Sequence, residues 1–399
     1  MDFADLKKKE SRLMWPLIIA IAGLMVIGVA FVYSASEANE SLASLPFYRQ
    51  RYFMQLVWYI LGIASAFAIC LVSYHTIVRW SYLIYWVMIG LLFFVLIFGV
   101  KRYGGTRWFD FGFFQFQPSE FAKIAFIIAF ANYLSRPIEE LKKPKVLWRA
   151  LGMAFLPFIL ILKEPDLGSA IVFMPVCLGM MYIADVPTRF LRNLIIVVVA
   201  VGGLFIADIL FAPPNWQIKL QDYQKRRLLV FFGKDYAPAD ATSAERKRLQ
   251  LQQLNDSYNM RQALISVGSG GILGKGWRQG TQTALGYLPR AVAHNDFIFS
   301  VIAEESGFVG GIIVVALYGV ILFSGITIAS KAGDRLGKLI AIGVVVLIFS
   351  HVFINIGMNI RVVPVTGIPL PLVSYGGSSV ICFLVAAGLL QNIYQNRRT

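Results

Sequence analysis

The sequence is short of charge, cysteine and histidine, and each shortage closes off a class of protein. Asp, Glu, Lys and Arg together make up 15% of the 399 residues, against ~25% in ordinary soluble domains, so neither a soluble globular enzyme nor a disordered chain fits. Cysteine occurs three times, as Cys70, Cys177 and Cys382, each inside an apolar run, which leaves no disulfide framework. The three histidines, His75, His294 and His351, never approach metal-ligand spacing, so a zinc site is not expected. Acidic residues are outnumbered, 22 against 37 basic ones, and the balance of +15 would invite a nucleic-acid partner in a soluble protein. No basic arm or nucleic-acid module accompanies it. Nucleic acid is therefore not an expected partner, and membrane lipids or a phosphate-bearing substrate suit the charge better.

What the chain has in abundance is apolar length. Hydrophobic residues make up 57% of it, mean hydropathy is +0.66, and about 20 apolar residues in a row cross a ~30 Å hydrocarbon layer. Stretches free of Asp, Glu, Lys and Arg at 13–36, 52–78, 80–100, 167–184, 306–330, 339–360 and the later part of 362–396 read as spans or contain one. Those at 124–135, 150–162 and 193–207 reach adequate length only if Glu120 and Lys123, Arg149, and Asp208 enter the membrane or its edge. The expectation is an all-α polytopic membrane protein with about ten transmembrane helices. It forms a single domain over 1–399, with one large extracytoplasmic loop at 212–295. With the N-terminus in the cytoplasm, the inner segments hold sixteen Lys and Arg and the short outer loops seven, the asymmetry that places both termini inside. The run Lys7-Lys8-Lys9 opens like a signal peptide, but the apolar stretch after it is too long and lacks a small-residue cleavage pattern, so a retained first helix is expected.

Ionisable groups at membrane depth are costly and mark functional or structural pairing. Pro118 opens a helix in Gln117-Pro118-Ser119-Glu120-Phe121-Ala122-Lys123, which sets Glu120 in the first turn and Lys123 on the same face. The two form an internal pair near the outer surface, with Lys123 also able to meet a phosphate. Lys163-Glu164-Pro165-Asp166-Leu167-Gly168 is a tight outer turn that a mere connector could have left neutral. The loop 101–109 adds Lys101, Arg102 and Arg107 with aromatics on the same side, in the manner of an interfacial belt.

Within the large loop, 240–254 reads as a polar helix with Thr242 and Glu245 spaced as a capping box. Gly268, Gly270, Gly271, Gly274 and Gly276 then surround Lys275. A glycine-rich loop with a lysine can cradle phosphate on backbone N–H groups, although this one lacks the nucleotide P-loop spacing; a plain surface loop is the competing reading. Asp296 follows His294-Asn295 and opens an apolar run, where an outer loop enters the membrane. Partial burial would lift its pKa toward the range of a general base, and a cation such as Lys275 would pull it back. Glu304 and Glu305 lie farther down the same helix as buried charges that need partners. The segment 364–379 mixes proline and glycine with no charge, the pattern of broken backbone lining a cavity, where Ser374, Tyr375, Gly376, Gly377 and Ser378 could meet a ligand.

At these residues the sequence resembles the SEDS family of bacterial shape, elongation, division and sporulation proteins. The resemblance spans most of the chain and rests on Gly105-Thr106-Arg107-Trp108, Gln117-Pro118-Ser119-Glu120, Glu164-Pro165-Asp166-Leu167-Gly168, Gly268-Ser269-Gly270-Gly271, His294-Asn295-Asp296-Phe297, and Pro369-Leu370-Pro371 through Ser378, in that order. Asn355-Ile356-Gly357-Met358 with the following Val365-Thr366-Gly367 resembles the elongation members more than the division members. The resemblance implies a peptidoglycan glycosyltransferase that polymerises lipid II, an undecaprenyl-pyrophosphate-linked disaccharide peptide, beside a class B penicillin-binding protein as transpeptidase. It carries the essential aspartate onto Asp296 and sensitive positions onto Glu120 and Lys123. Asn295 replaces the usual threonine, Arg290-Ala291-Val292-Ala293 replaces a shorter approach, and 240–254 is an insertion.

On that basis Asp296 is expected to take the proton of the attacking sugar hydroxyl, with Lys123, Lys275, Arg107 or Lys163 on the pyrophosphate. No cofactor is evident, and Glu164 with Asp166 leaves a divalent cation open. A lipid II flippase is the rival from another class, since intramembrane carboxylates and broken helices also serve transporters.

Overall fold

The computed structural model describes residues 12–37, 46–102, 105–112, 114–212, 222–234, 242–288 and 292–397. Eight of its helices are long and apolar enough to cross a membrane. They are α1 (Trp15–Glu37), α2 (Arg51–Leu71), α3 (Ser81–Phe98), α5 (Pro144–Lys163), α7 (Thr188–Phe211), α10 (Ile298–Lys331), α11 (Arg335–Asn359) and α12 (Gly377–Gln395). Two further helices of 17 residues complete the bundle, α4 (Pro118–Leu134) and α6 (Leu167–Ile183). The chain is a multi-pass membrane protein.

The three stretches that needed a charge to reach spanning length are helical through that charge. In α4 every residue but Phe121 and Asn132 is buried, Glu120 and Lys123 included. A helix wrapped by protein on all sides needs no apolar stripe, which is why hydropathy reads it as too short. The opposite case is α7, where only Leu191 and Ile209 are buried, so nearly its whole circumference faces the membrane. The centre belongs to α11 and α12; α12 lies so close to α2 that a Cβ on Gly388 would stand 2.8 Å from the Ala66 Cα, the close backbone approach that small residues permit in membranes.

Three features add detail to the expected helical architecture, and only the first is not helical. A small antiparallel sheet follows α3, with β1 (Val100–Arg102) pairing β2 (Gly105–Asp110) and β2 pairing β3 (Gln115–Phe116). Thr106 faces Lys101, and Phe109 faces Phe116. The sheet occupies the loop expected to be an aromatic belt, and its strands are too short to show alternation in sequence.

Residues 222–234 and 242–288 of the large loop are built as two helices, α8 (Asp222–Phe232) and α9 (Ser243–Ser269), followed by a glycine-rich turn. The expected 240–254 helix therefore runs on into the glycine run, while residue 240 lies outside the described residues. Finally, α10 is 34 residues long, but Gly307 is non-helical and breaks it. At ~1.5 Å per residue the part after the break is ~36 Å long and spans by itself.

Candidate active site

Asp296 stands on the short turn that leads into α10. The backbone N–H groups of Asn295, Asp296 and Phe297 all point at the Val292 carbonyl, at 3.1, 3.0 and 3.3 Å. The turn is held from the α11 side by two asparagines four residues apart, hence on one face. The Asn355 and Asn359 side-chain amides each donate to the Asp296 carbonyl at 3.1 Å. Asn355 also donates to the Ile368 carbonyl at 2.8 Å, and Asn359 accepts from the Ser300 hydroxyl at 2.6 Å. The main chain of Asp296 is thereby fixed while its carboxylate remains partly exposed.

The irregular stretch after α11 closes the other side. Its carbonyls are satisfied by side chains from the bundle: Tyr59 donates to Leu372 at 2.5 Å, Gln55 to Ser374 at 3.2 Å, and Tyr318 to Pro371. This is how non-helical backbone survives at membrane depth. Ser374 donates to the Asn295 carbonyl at 2.6 Å, and the Tyr375 N–H donates to the His294 carbonyl at 3.0 Å. Buried His294 lies against the Arg51 guanidinium, which also sits 5.9 Å over the Tyr375 ring. Burial, aided by the Arg51 charge, pushes the imidazole down to about 2, so His294 is neutral and positions the turn. Gly376 precedes α12, the Gly377 Cα faces the Trp58 ring, and Ser378 accepts from the Gln117 N–H at 3.0 Å and donates to the Gln115 carbonyl at 2.9 Å. These residues brace the cavity wall. Their hydroxyls and amides are largely occupied by that task.

The carboxylate of Asp296 is set among charges from three separate segments. Burial raises its pKa to about 6, while Arg227 and Arg107 draw it down and Asp166 adds to the rise. Arg107 reaches from β2 to the carbonyls of Glu164, at 3.1 Å, and Pro165, and lies 3.9 Å from the Asp166 carboxylate. Asp166 caps α6 through the Ser169 N–H at 3.0 Å and accepts the Ser169 hydroxyl at 2.9 Å. Glu164 is fully buried, neither of its carboxylate oxygens has a partner, and burial followed by the Asp166 charge pushes it up to about 9. It is a neutral acid at physiological pH. Lys163 is exposed at the end of α5. Among the described residues no group of three His, Cys, Asp or Glu gathers to hold a metal ion.

Two expected phosphate ligands are held in ion pairs of their own. Lys123 is 2% exposed and donates to Glu120 at 2.6 Å, with the His351 imidazole at 2.9 Å. Lys275 donates to Glu304 at 2.7 Å, Thr281 at 2.7 Å and Ser269 at 2.9 Å. The amides of the glycine-rich turn are spent too: Lys275 N–H and Gly276 N–H donate to the carbonyls of Glu304 and Glu305 at 3.0 and 2.9 Å. Glu305 takes the Ser34 hydroxyl and the Arg278 N–H. The glycines serve close approach, since a Cβ on Gly270 would stand 1.9 Å from the Ala303 carbonyl oxygen. The turn is a latch onto the broken helix, and the cations that act on Asp296 are Arg227 and Arg107 in place of Lys275.

Arg227, Asn355, Asn359 and Arg51 escape a reading of the sequence. The asparagine pair at i and i+4 is the one visible signal. Arg227 is hidden in the run Lys225-Arg226-Arg227, which looks like any solvated face.

The chain matches the FtsW/RodA/SpoVE family, described as a cell cycle protein, over residues 14–399. It is similar to the peptidoglycan glycosyltransferase MrdB of Escherichia coli strain K12, with 35% identity over 80% of this chain and 79% of that one. It is similar also to the peptidoglycan glycosyltransferase RodA of Treponema pallidum, with 32% identity over 94% and 96% of the two chains. Among solved structures it superposes, with a TM-score of 0.73 and 26% identity over 97% of this chain and 99% of the other, on a chain of a peptidoglycan synthase complex that coordinates polymerization and crosslinking. With residues 14–399 matched by the family and nearly the whole chain superposed on a solved relative, this protein belongs to the FtsW/RodA/SpoVE family.

Proposed function

We propose that the chain is a peptidoglycan glycosyltransferase that polymerises lipid II into glycan strands for cell-wall elongation. The observation that carries this reading is a single carboxylate, Asp296, fixed by its main chain, partly open and flanked by guanidinium charge at one end of a membrane bundle. A base for sugar-hydroxyl attack needs to be ionised near neutrality yet basic enough to accept a proton, and a value of about 6 meets both needs. In the reaction the acceptor 4-hydroxyl oxygen bonds to the donor anomeric carbon and gives its proton to Asp296. The bond from that carbon to the diphosphate breaks, and the electron pair leaves with the undecaprenyl diphosphate. A good leaving group needs cationic stabilisation more than protonation, so one base suffices and the two-carboxylate hydrolase scheme is not required.

The location in this proposal is the bacterial cytoplasmic membrane, with both termini inside and Asp296 on the outer face, as the Lys and Arg asymmetry supports. The partner is a class B penicillin-binding protein, in keeping with the synthase complex that this fold resembles. The test is polymerisation of lipid II by purified protein in detergent, without any gradient. Wild type is expected to make glycan and Asp296→Asn to lose it with unchanged thermal unfolding. Polymer from the variant at wild-type rate, or lipid II movement across proteoliposomes without polymer, would sink the reading.

A further inference from the structure

We infer that Arg227 contacts the diphosphate of the substrate across a notch whose floor is Gly367, with the Asp296 carboxylate on the opposite wall. The inference rests on the glycosyltransferase reading above and adds to it the residue that receives the leaving group. Gly367 has a φ of +81°, and a Cβ built on it would stand 3.5 Å from Asp296 Oδ2 and 3.8 Å from Arg227 Nη1. Carboxylate and guanidinium therefore converge on the same side of one glycine. Those two distances put the carboxylate and the guanidinium at most roughly 7 Å apart, within reach of a single phosphate group through hydrogen bonds of ~2.8 Å. Any side chain at position 367 would enter that gap.

The guanidinium is aimed into place. Arg227 Nη1 donates to the Val365 carbonyl at 3.3 Å, two residues before the glycine. Leu228 and Leu229, next along α8, pack on Ile209 of α7 and fix the helix that carries Arg227. A small cavity of about 20 Å³ opens beside the notch, walled by Pro165, Leu167, Leu228 and Thr366 together with Arg227 itself. Arg227 is exposed, whereas Arg107, the other cation acting on Asp296, has a side chain only 12% exposed and is bound to the 164–166 turn. Lys123 and Lys275 are committed to Glu120 and Glu304. Of these, Arg227 is the cation placed where a ligand arrives.

The chemistry asks for such a group. As the glycosidic bond forms, the proton passes to Asp296 and neutralises it, while the electron pair of the breaking bond moves onto the diphosphate. Negative charge thus transfers from one wall of the notch to its contents. A guanidinium across the gap keeps Asp296 ionised beforehand and meets the diphosphate afterwards, with a fork that matches two phosphate oxygens.

The test uses full-length protein in detergent with lipid II as substrate and inorganic pyrophosphate as the probe. Arg227→Gln is expected to lower kcat/KM by ~10²-fold, the scale for losing one donor to developing negative charge. It should also weaken inhibition by pyrophosphate ~10-fold, and Arg227→Lys should restore part of both. The acid limb of the pH profile should move upward in Arg227→Gln, because Arg107 alone then offsets the burial of Asp296 and the charge of Asp166. Unchanged pyrophosphate inhibition in Arg227→Gln, or a lysine variant no better than glutamine, would show that Arg227 only braces Val365. Should the glutamine variant fail to fold, the lysine variant decides by the same inhibition measurement. Loss of polymerisation in Asp296→Asn with wild-type pyrophosphate inhibition in Arg227→Gln overturns this inference alone. Full activity in Asp296→Asn overturns the reading on which it rests.

Discussion

Asp296 and Glu304 flank the start of one helix, eight residues apart, and each has basic residues and glycine close by. Around Glu304 the fold supplies the partners directly: Lys275, Thr281 and the Gln282 N–H converge on one carboxylate oxygen, the other is buried without a hydrogen bond, and amides of the glycine-rich turn close on helix carbonyls. Around Asp296 the hydrogen bonds from Asn355 and Asn359 stop at the main chain. The carboxylate is left to a notch where burial first and then the charges of Arg227, Arg107 and Asp166, rather than a lysine at contact distance, set its pKa. A glycine-rich turn with a lysine is thus a structural device here, and the less conspicuous asparagine-held turn is the one to which the proposed function assigns the chemistry. What separates them is where the donors are spent, on one carboxylate oxygen at Glu304 and on the main-chain carbonyl at Asp296.

If that contrast is right, the two carboxylates fail in different assays. The largest effect is expected at Asp296, where replacement by Asn should cost ~10²–10⁴-fold in polymerisation with no change in thermal unfolding. In wild type the rate should fall as pH drops through about 6, since the working base is the ionised form. Lys275→Met should instead unfold the protein earlier. It strands the fully buried Glu304, and breaking such a pair costs ~3 kcal/mol at the low end. The combined Lys275→Met and Glu304→Gln variant should recover most of that loss, and failure to recover would mean that Lys275 does more than pair.

Smaller effects probe the supports. Asn359→Ala should lower kcat ~10-fold with little change in KM, because a shift of the carboxylate well below 1 Å is already felt; a change confined to KM would contradict a positioning role. An effect that shows only as pH rises concerns Glu164, whose folded pKa of about 9 lies above the ordinary 4.5. The folded state holds a proton that the unfolded chain releases, so its contribution is fully present below about pH 4.5 and is lost progressively as pH rises toward 9. Against Glu164→Gln, wild type should therefore lose relative stability across that window, as read by thermal unfolding at several pH values.

Much of the bundle is legible in the sequence because hydrocarbon imposes its thickness on any chain that crosses it, and seven of the ten expected helices follow from apolar length alone. What escapes is partnership. Nothing about Lys275 announces that its carboxylate lies 29 residues on, and a glycine that permits close approach looks the same in sequence as one that cradles phosphate. The sheet at 100–116 is hidden because strands of two to six residues carry no period. Asp296 is legible from its position at the mouth of an apolar run, yet its electrostatic neighbours, Arg107 and Arg227, come from segments far away in the chain. Ser374 and Ser378 serve as braces, donating to the Asn295 and Gln115 carbonyls, and sequence shows a hydroxyl without showing which carbonyl it already holds.

The pair buried in α4 bears on how the protein is made. Lys123 reaches His351, a residue synthesised 228 positions later, roughly 10–45 s at ribosomal speeds of ~5–20 residues per second. During that interval α4 must rest in the membrane without its imidazole partner, and each bare charge near its start would oppose insertion, by at most the ~2.5–3.5 kcal/mol of a charge at a helix centre. Glu120, one turn away, is available at once. The short-range ion pair is thus a travelling companion for insertion, which shields the lysine until α11 arrives.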